Sequence, residues 1–169
     1  ESVVVSSGGS ANLSINGIHK SKPDVAIVVF GEMPYAEGQG DIADLYYGLR
    51  YNQDLALIKS FKDKGIPVVS IFITGRPLWV NPELNASDAF VVAWLPGSEG
   101  TGISDVLFKD ANNKITHDFK GKLSFSWPMF ANQYVLNQED QKYKPLFKYG
   151  YGLTYKDTDS LKDDLSEVP

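Results

Sequence analysis

Three runs of apolar residues that barely alternate with polar ones constrain this chain more than anything else in it: Val25 to Phe30, Pro67 to Thr74, and Ala89 to Leu95. A strand with one face in water alternates apolar and polar side chains, whereas a parallel strand covered on both faces reads as a continuous hydrophobic stretch. The intervals between the runs fit connecting helices. Asn52 or Asp54 can cap a helix whose Leu55, Leu57, Ile58 and Phe61 recur at helical spacing, with Lys59, Lys62 and Lys64 near its end and Gly65 as the stop. Asn81 to Asp88 reads as a short helix or turn, and Pro96 to Gly102 turns into a helix over about Ile103 to Phe108. Strand, helix, strand, short helix, strand, helix is the signature of an α/β fold: a doubly wound, mostly parallel sheet sandwiched by helices.

Outside that region the signals are weaker. Val3-Val4-Val5 suits an edge strand, ended by Ser6-Ser7-Gly8-Gly9-Ser10, and Ala11 to Lys22 keeps no period, so residues 1–22 read as an irregular lead-in. Gly121 to Trp127 alternates, with Leu123, Phe125 and Trp127 on one face, which predicts a half-exposed strand. Phe147 to Tyr155, rich in glycine and tyrosine, is expected to close the fold as an extended segment. The organisation expected is therefore a lead-in over 1–22, one domain over 23–155 and a solvated acidic tail over 156–169.

Composition excludes several classes of function. A chain of 169 residues with 43% apolar and 22% charged residues is long and apolar enough for one folded domain. A net charge of −5 with no cluster of Lys and Arg argues against nucleic acid as a partner. The absence of cysteine removes disulfides, thiolate metal sites and a cysteine nucleophile together. No run approaches the roughly 18 apolar residues of a membrane helix, and the first residues lack the basic-then-apolar pattern of a signal peptide. The chain opens on Glu1 rather than Met, as expected of a processed protein or of an excerpt from a longer one.

The chemistry is expected where the first run ends. Gly31-Glu32-Met33-Pro34-Tyr35-Ala36-Glu37-Gly38-Gln39-Gly40-Asp41 is a glycine-rich, acidic loop at the carboxyl end of a buried strand, which is where α/β sheets bind their ligands. Glu32, directly after the strand, is placed to hold the loop by hydrogen bonds; Asp41 after Gly40 suits a turn or cap; Glu37 is the candidate for catalysis. Arg76, beside Gly75 and Pro77 at the end of the second run, can position the acidic loop or clamp a carboxylate.

Other constellations carry less. Gly97-Ser98-Glu99-Gly100-Thr101-Gly102 does not space its glycines as a dinucleotide loop does, and Glu99 would repel a phosphate. His19 and His117 have no second ligand at metal-binding spacing, and Ser98 and Ser104 lack a nucleophile elbow. Trp79, Trp94 and Trp127 could stack on sugar rings, though Trp94 and Trp127 fall in strands and suit the core better.

As a set, Gly31 to Glu37, Gly40-Asp41, Gly75-Arg76-Pro77, Ala93 to Gly100, Asp105 to Phe108, Gly121 to Pro128 and Tyr149 to Leu153 resemble the second, α/β-sandwich domain of glycoside hydrolase family 3, in its exo-β-glucanase and β-glucosidase branch. The resemblance runs in order from Lys22 to Tyr155. It implies a flavodoxin-like (α/β)6 sandwich whose N-terminal part precedes this chain, with no cofactor. It implies that Glu37, two residues after the Pro34-Tyr35 pair, is the general acid/base of a retaining β-glucoside hydrolase. Glu32, Tyr35, Asp41 and Arg76 are then loop-positioning or substrate-side groups. The same resemblance implies a partner, a (β/α) barrel domain bearing the nucleophilic aspartate, a β-glucoside or β-glucan substrate, and a secreted or periplasmic address. Apart from that barrel, the alternative expectation for the isolated chain is a non-catalytic sugar-binding or structural module.

Overall fold

The computed structural model describes residues 5–7, 22–158, 161 and 164–169, so that most of the expected lead-in over 1–22 lies outside the described residues. Four parallel strands form one sheet: β1 (Val5–Ser7), β2 (Ala26–Gly31), β3 (Val68–Ile73) and β4 (Ala89–Trp94), side by side in chain order. Val5 pairs with Ile27, Ala26 with Val68, and Val69 with Ala89. Parallel neighbours need crossovers, and these are α1 (Gly48–Lys62) between β2 and β3 and the short α2 (Asn81–Asn85) between β3 and β4; α3 (Thr101–Leu107) follows β4. The α/β class and the parallel sheet inferred from the three apolar runs are thus the observed architecture.

Burial explains why the first two runs carried no alternation, whereas β4, expected to be covered in the same way, lies at the sheet edge with Ala89 exposed and Phe90 to Trp94 only half-buried. Ala26, Val28 and Phe30 point into one core with Val68 and Phe72, while Ile27 and Ile71, on the opposite face, are buried too. Ile58 and Phe61 of α1 close the first side, joined by Leu84 of α2 and by Trp127 from the C-terminal half. Phe30, Phe72, Tyr47 and Phe90 meet ring to ring at 5.0 to 6.1 Å in its centre. No helix among the described residues is long and apolar enough to cross a membrane.

Three expectations need correcting. First, α1 starts at Gly48, four residues before Asn52, and kinks at Tyr51 (φ −133°, ψ 40°). Asp54 is no cap: it is buried on the core face, where the Tyr47 hydroxyl donates to its Oδ2 at 2.6 Å. Second, Gly121 to Trp127 forms no regular strand. It runs beside Leu146 to Tyr151 through scattered hydrogen bonds, Leu123 N–H to Tyr151 O at 2.8 Å and Trp127 N–H to Phe147 O at 2.8 Å, with a single bridge at Trp127. Its alternation breaks because Phe125 is exposed while Trp127 is buried, so the two do not share an inward face. Third, the acidic tail is not simply solvated. Asn85 exchanges hydrogen bonds with both the N–H and the carbonyl of Leu165, Asn81 donates to Ser166 O, and Leu165 packs against the core.

Candidate functional site

Parallel strands all present their carboxyl ends at one edge of the sheet, so the loops after β2 and β3 lie together there. The approach is close. Gly31 pairs with Ile73, and a Cβ on Gly31 would sit 1.9 Å from the Ile73 carbonyl oxygen, so only glycine lets the two strand ends meet at this spacing. The residues that follow in each segment carry the contact between the loops.

That contact centres on Glu32, whose side chain is only 8% exposed. Its Oε1 accepts from Arg76 Nε at 2.9 Å and from Nη2 at 2.8 Å. Its Oε2 accepts from Thr74 Oγ1 at 2.8 Å and from the Gly75 N–H at 3.4 Å. Arg76 also donates to the loop itself, Nη1 to the Gly40 carbonyl at 2.5 Å, and its guanidinium lies 4.6 Å from the centre of the Tyr35 ring. Tyr35 in turn packs on Gly40, where a Cβ would come 2.4 Å from the ring. The far end of the loop is thereby folded back onto its base: Arg76 joins residues 32, 35 and 40 through a forked ion pair, a cation–π contact and a charge-assisted hydrogen bond.

Between residues 36 and 41 the loop makes a tight turn, with Gln39 and Gly40 N–H groups donating to Ala36 O at 3.1 and 3.2 Å and Gly38 at φ 79°. Gln39 Oε1 accepts from the Ala36 N–H. Glu37 sits on this turn, exposed and with no hydrogen-bond or ion-pair partner among the described residues. Asp41 is exposed as well, its N–H 3.4 Å from Gly38 O. The structure therefore divides the three carboxylates of the loop: Glu32 is tied down by four donors, whereas the carboxyl groups of Glu37 and Asp41 take none from the described residues.

Beside the loop lies a hollow of about 250 Å³, lined by Glu32, Met33, Tyr35, Tyr46, Arg50 and Tyr51 among others. Glu37 is not part of its wall. On the other side of Arg76 a larger groove of about 470 Å³ runs past Phe125, Tyr134 and Tyr149.

Sequence reasoning passed over several groups that matter at this edge. Tyr47 and Tyr51 bond to the backbone on either side of Glu32, and Thr74 completes the Glu32 cradle. Their signal was the four-residue spacing of two tyrosines at the start of a helix, next to an aspartate on its apolar face. Burial, then the hydrogen bond to Asp54, raises the pKa of the Tyr47 hydroxyl, and burial raises that of Asp54 against the pull of that bond. Trp79 and Trp127 offer no sugar platform, being 0% and 2% exposed, while Trp94 is half-buried, at φ 53° beside the irregularity in the β3–β4 register and 6.2 Å from Trp127. His117 is exposed, its Nδ1 3.2 Å from Thr116 Oγ1; His19 falls outside the described residues, among which no group of three or more acidic or histidine residues could hold a metal.

The family model for the glycosyl hydrolase family 3 C-terminal domain matches residues 10–155. Among solved structures, an exo-1,3/1,4-β-glucanase from a Pseudoalteromonas species superposes with a TM-score of 0.85 at 58% identity, over 89% of this chain and 19% of that one. A β-glucosidase from Listeria innocua gives a TM-score of 0.59 at 26% identity, over 78% of this chain and 20% of the other. Of characterised relatives, a lysosomal β-glucosidase of Dictyostelium discoideum is 36% identical over 78% of the chain, and a periplasmic β-glucosidase of Salmonella typhimurium 30% over 78%. The chain spans only 16% and 19% of those two proteins' lengths. It belongs to glycosyl hydrolase family 3, as that family's C-terminal domain.

Proposed function

We propose that this chain is the sandwich-domain portion of a retaining, exo-acting β-glucosidase or exo-β-glucanase, and that Glu37 is its general acid/base. The observation that carries the reading is the division of labour in the β2–α1 loop. Glu32 has both oxygens occupied by Arg76, Thr74 and Gly75, whereas Glu37, unpartnered among the described residues, stands on a turn held by the same arginine.

In a retaining mechanism an aspartate, here supplied by a (β/α) barrel domain elsewhere in the protein, attacks the anomeric carbon as the bond to the leaving oxygen breaks. Glu37 gives that oxygen its proton. Water then arrives, Glu37 takes a proton from it, and the hydroxide displaces the aspartate to release glucose from the non-reducing end. Glu32, Tyr35 and Arg76 keep the turn in place, Asp41 lies at its rim towards substrate, and no cofactor takes part. The isolated chain, without the aspartate, hydrolyses no glucoside. A secreted or periplasmic location follows the named location of the Salmonella relative.

The test is the leaving-group dependence of Glu37→Gln in the full-length enzyme. Loss of about 100-fold or more on alkyl or phenyl glucosides, with cleavage of a dinitrophenyl glucoside retained in the first step, supports the role. Equal rates for the variant and the natural enzyme on phenyl glucoside remove Glu37 from the mechanism.

A further inference from the structure

The backbone on both sides of Glu32 is gripped from α1 and the residue before it. The Met33 N–H donates to the hydroxyl oxygen of Tyr51 at 3.1 Å, and the Tyr47 hydroxyl lies 3.2 Å from the Gly31 carbonyl. The two tyrosines are one helical turn apart, and their rings stack with centroids at 4.8 Å and planes at 24°. Tyr47 is fixed by burial and by Asp54; Tyr51 is at the helix kink, half-buried, and rests on Tyr47. The side chain of Glu32 is held from the opposite side, by Arg76 and Thr74 of the β3 loop. The base of the acid loop is thus clamped from two elements at once.

We propose that Tyr51, braced by Tyr47, is a positioning residue for the reaction: its hydroxyl fixes the Met33 peptide, and through the five-residue span from Met33 to Glu37 it sets where the acid/base carboxyl is presented. The inference rests on the assignment of Glu37 given above. A proton donor is sensitive to placement in a way that folding is not, because an error of about 1 Å in a reacting geometry costs up to about 100-fold while leaving the fold intact. Tyr51→Phe deletes the single oxygen that accepts the Met33 N–H and keeps the ring stacked on Tyr47. Only a defect in protonation should follow.

The experiment compares the full-length enzyme with its Tyr51→Phe and Glu37→Gln variants on aryl β-glucosides whose leaving phenols range from strongly to weakly acidic, with thermal unfolding recorded for each. The expected result is that Tyr51→Phe loses about tenfold in kcat/KM on phenyl glucoside, retains its rate on dinitrophenyl glucoside, and melts within a few degrees of the natural enzyme. Its leaving-group dependence then steepens in the same sense as that of Glu37→Gln. If Glu37→Gln steepens and Tyr51→Phe does not, the positioning role is overturned while Glu37 keeps its assignment. A uniform loss over all substrates, or one accompanied by a large drop in melting temperature, marks Tyr51 as structural only and also overturns it. If Glu37→Gln itself shows no dependence, both assignments fall.

Discussion

Arg76 and Glu32 meet through two hydrogen bonds to one oxygen, Nε and Nη2 of the guanidinium both donating to Oε1 at 2.9 and 2.8 Å, with only 8% of the glutamate side chain exposed. A lysine could supply the charge but not the fork, and it could not at once reach the Gly40 carbonyl and cover the Tyr35 ring. Arg76→Lys should therefore destabilise the chain by about 2 kcal/mol, a fall of roughly 4–8 °C in melting temperature for a domain of this size. Differential scanning calorimetry checks this; a variant that melts with the natural protein would mean that the pair contributes nothing beyond its charges.

Gly31 gives a sharper prediction about the edge of the sheet. Because an added Cβ would meet the Ile73 carbonyl oxygen at 1.9 Å, and that oxygen is backbone, neither partner can step aside without separating β2 from β3. Gly31→Ala should cost about 3 kcal/mol or more, measured by urea unfolding, and should release the Glu32 N–H from Ile73 O. Fast amide exchange at Glu32 would report that release.

Glu83 makes stability depend on pH. It is fully buried in α2, its two oxygens have no hydrogen-bond partner among the described residues, and burial pushes its carboxyl up from 4.5 to about 7. The folded state therefore holds this proton where the unfolded chain has already lost it. Stability falls as pH rises from about 4.5 towards 7 and levels off above, by roughly 3 kcal/mol in all, since each tenfold change is worth about 1.4 kcal/mol. Glu83→Gln, neutral at every pH, should flatten that slope when unfolding is followed by tryptophan fluorescence from pH 4 to pH 8. An unchanged slope would assign the dependence to another group.

What the sequence disclosed and what it withheld follow from the range of the interactions involved. Unbroken apolar runs disclosed β2, β3 and β4; in β2 and β3 that mark comes from burial on both faces, while β4 carries it half-buried, and Gly31 and Glu32 drew notice as the point where the first run stops. The Glu32–Arg76 pair spans 44 residues and was legible only as an arginine at the next strand end able to position the acidic loop, whereas the Trp79 indole N–H reaches Met129 O across 50 residues and could be read from no window of sequence. Asp54 misled for a related reason: as an isolated letter it is a good helix cap, and only the fold supplies the Tyr47 hydroxyl that lets it sit inside. Alternation over Gly121 to Trp127 misled too, since it was not sustained by a partner strand long enough to hold Phe125 inward. Glu37 was singled out by its loop and by family likeness; that it shares none of the bonds holding Glu32 is visible only in three dimensions.

The most direct measurement is azide rescue of Glu37→Gln in the full-length enzyme, with dinitrophenyl β-glucoside as substrate. If Glu37 is the acid/base, the variant forms its glucosyl intermediate but lacks the base that activates water, so azide, an anion needing no base, restores turnover and yields β-glucosyl azide with retained configuration. Turnover that azide does not change, with glucose as the sole product, would contradict the account.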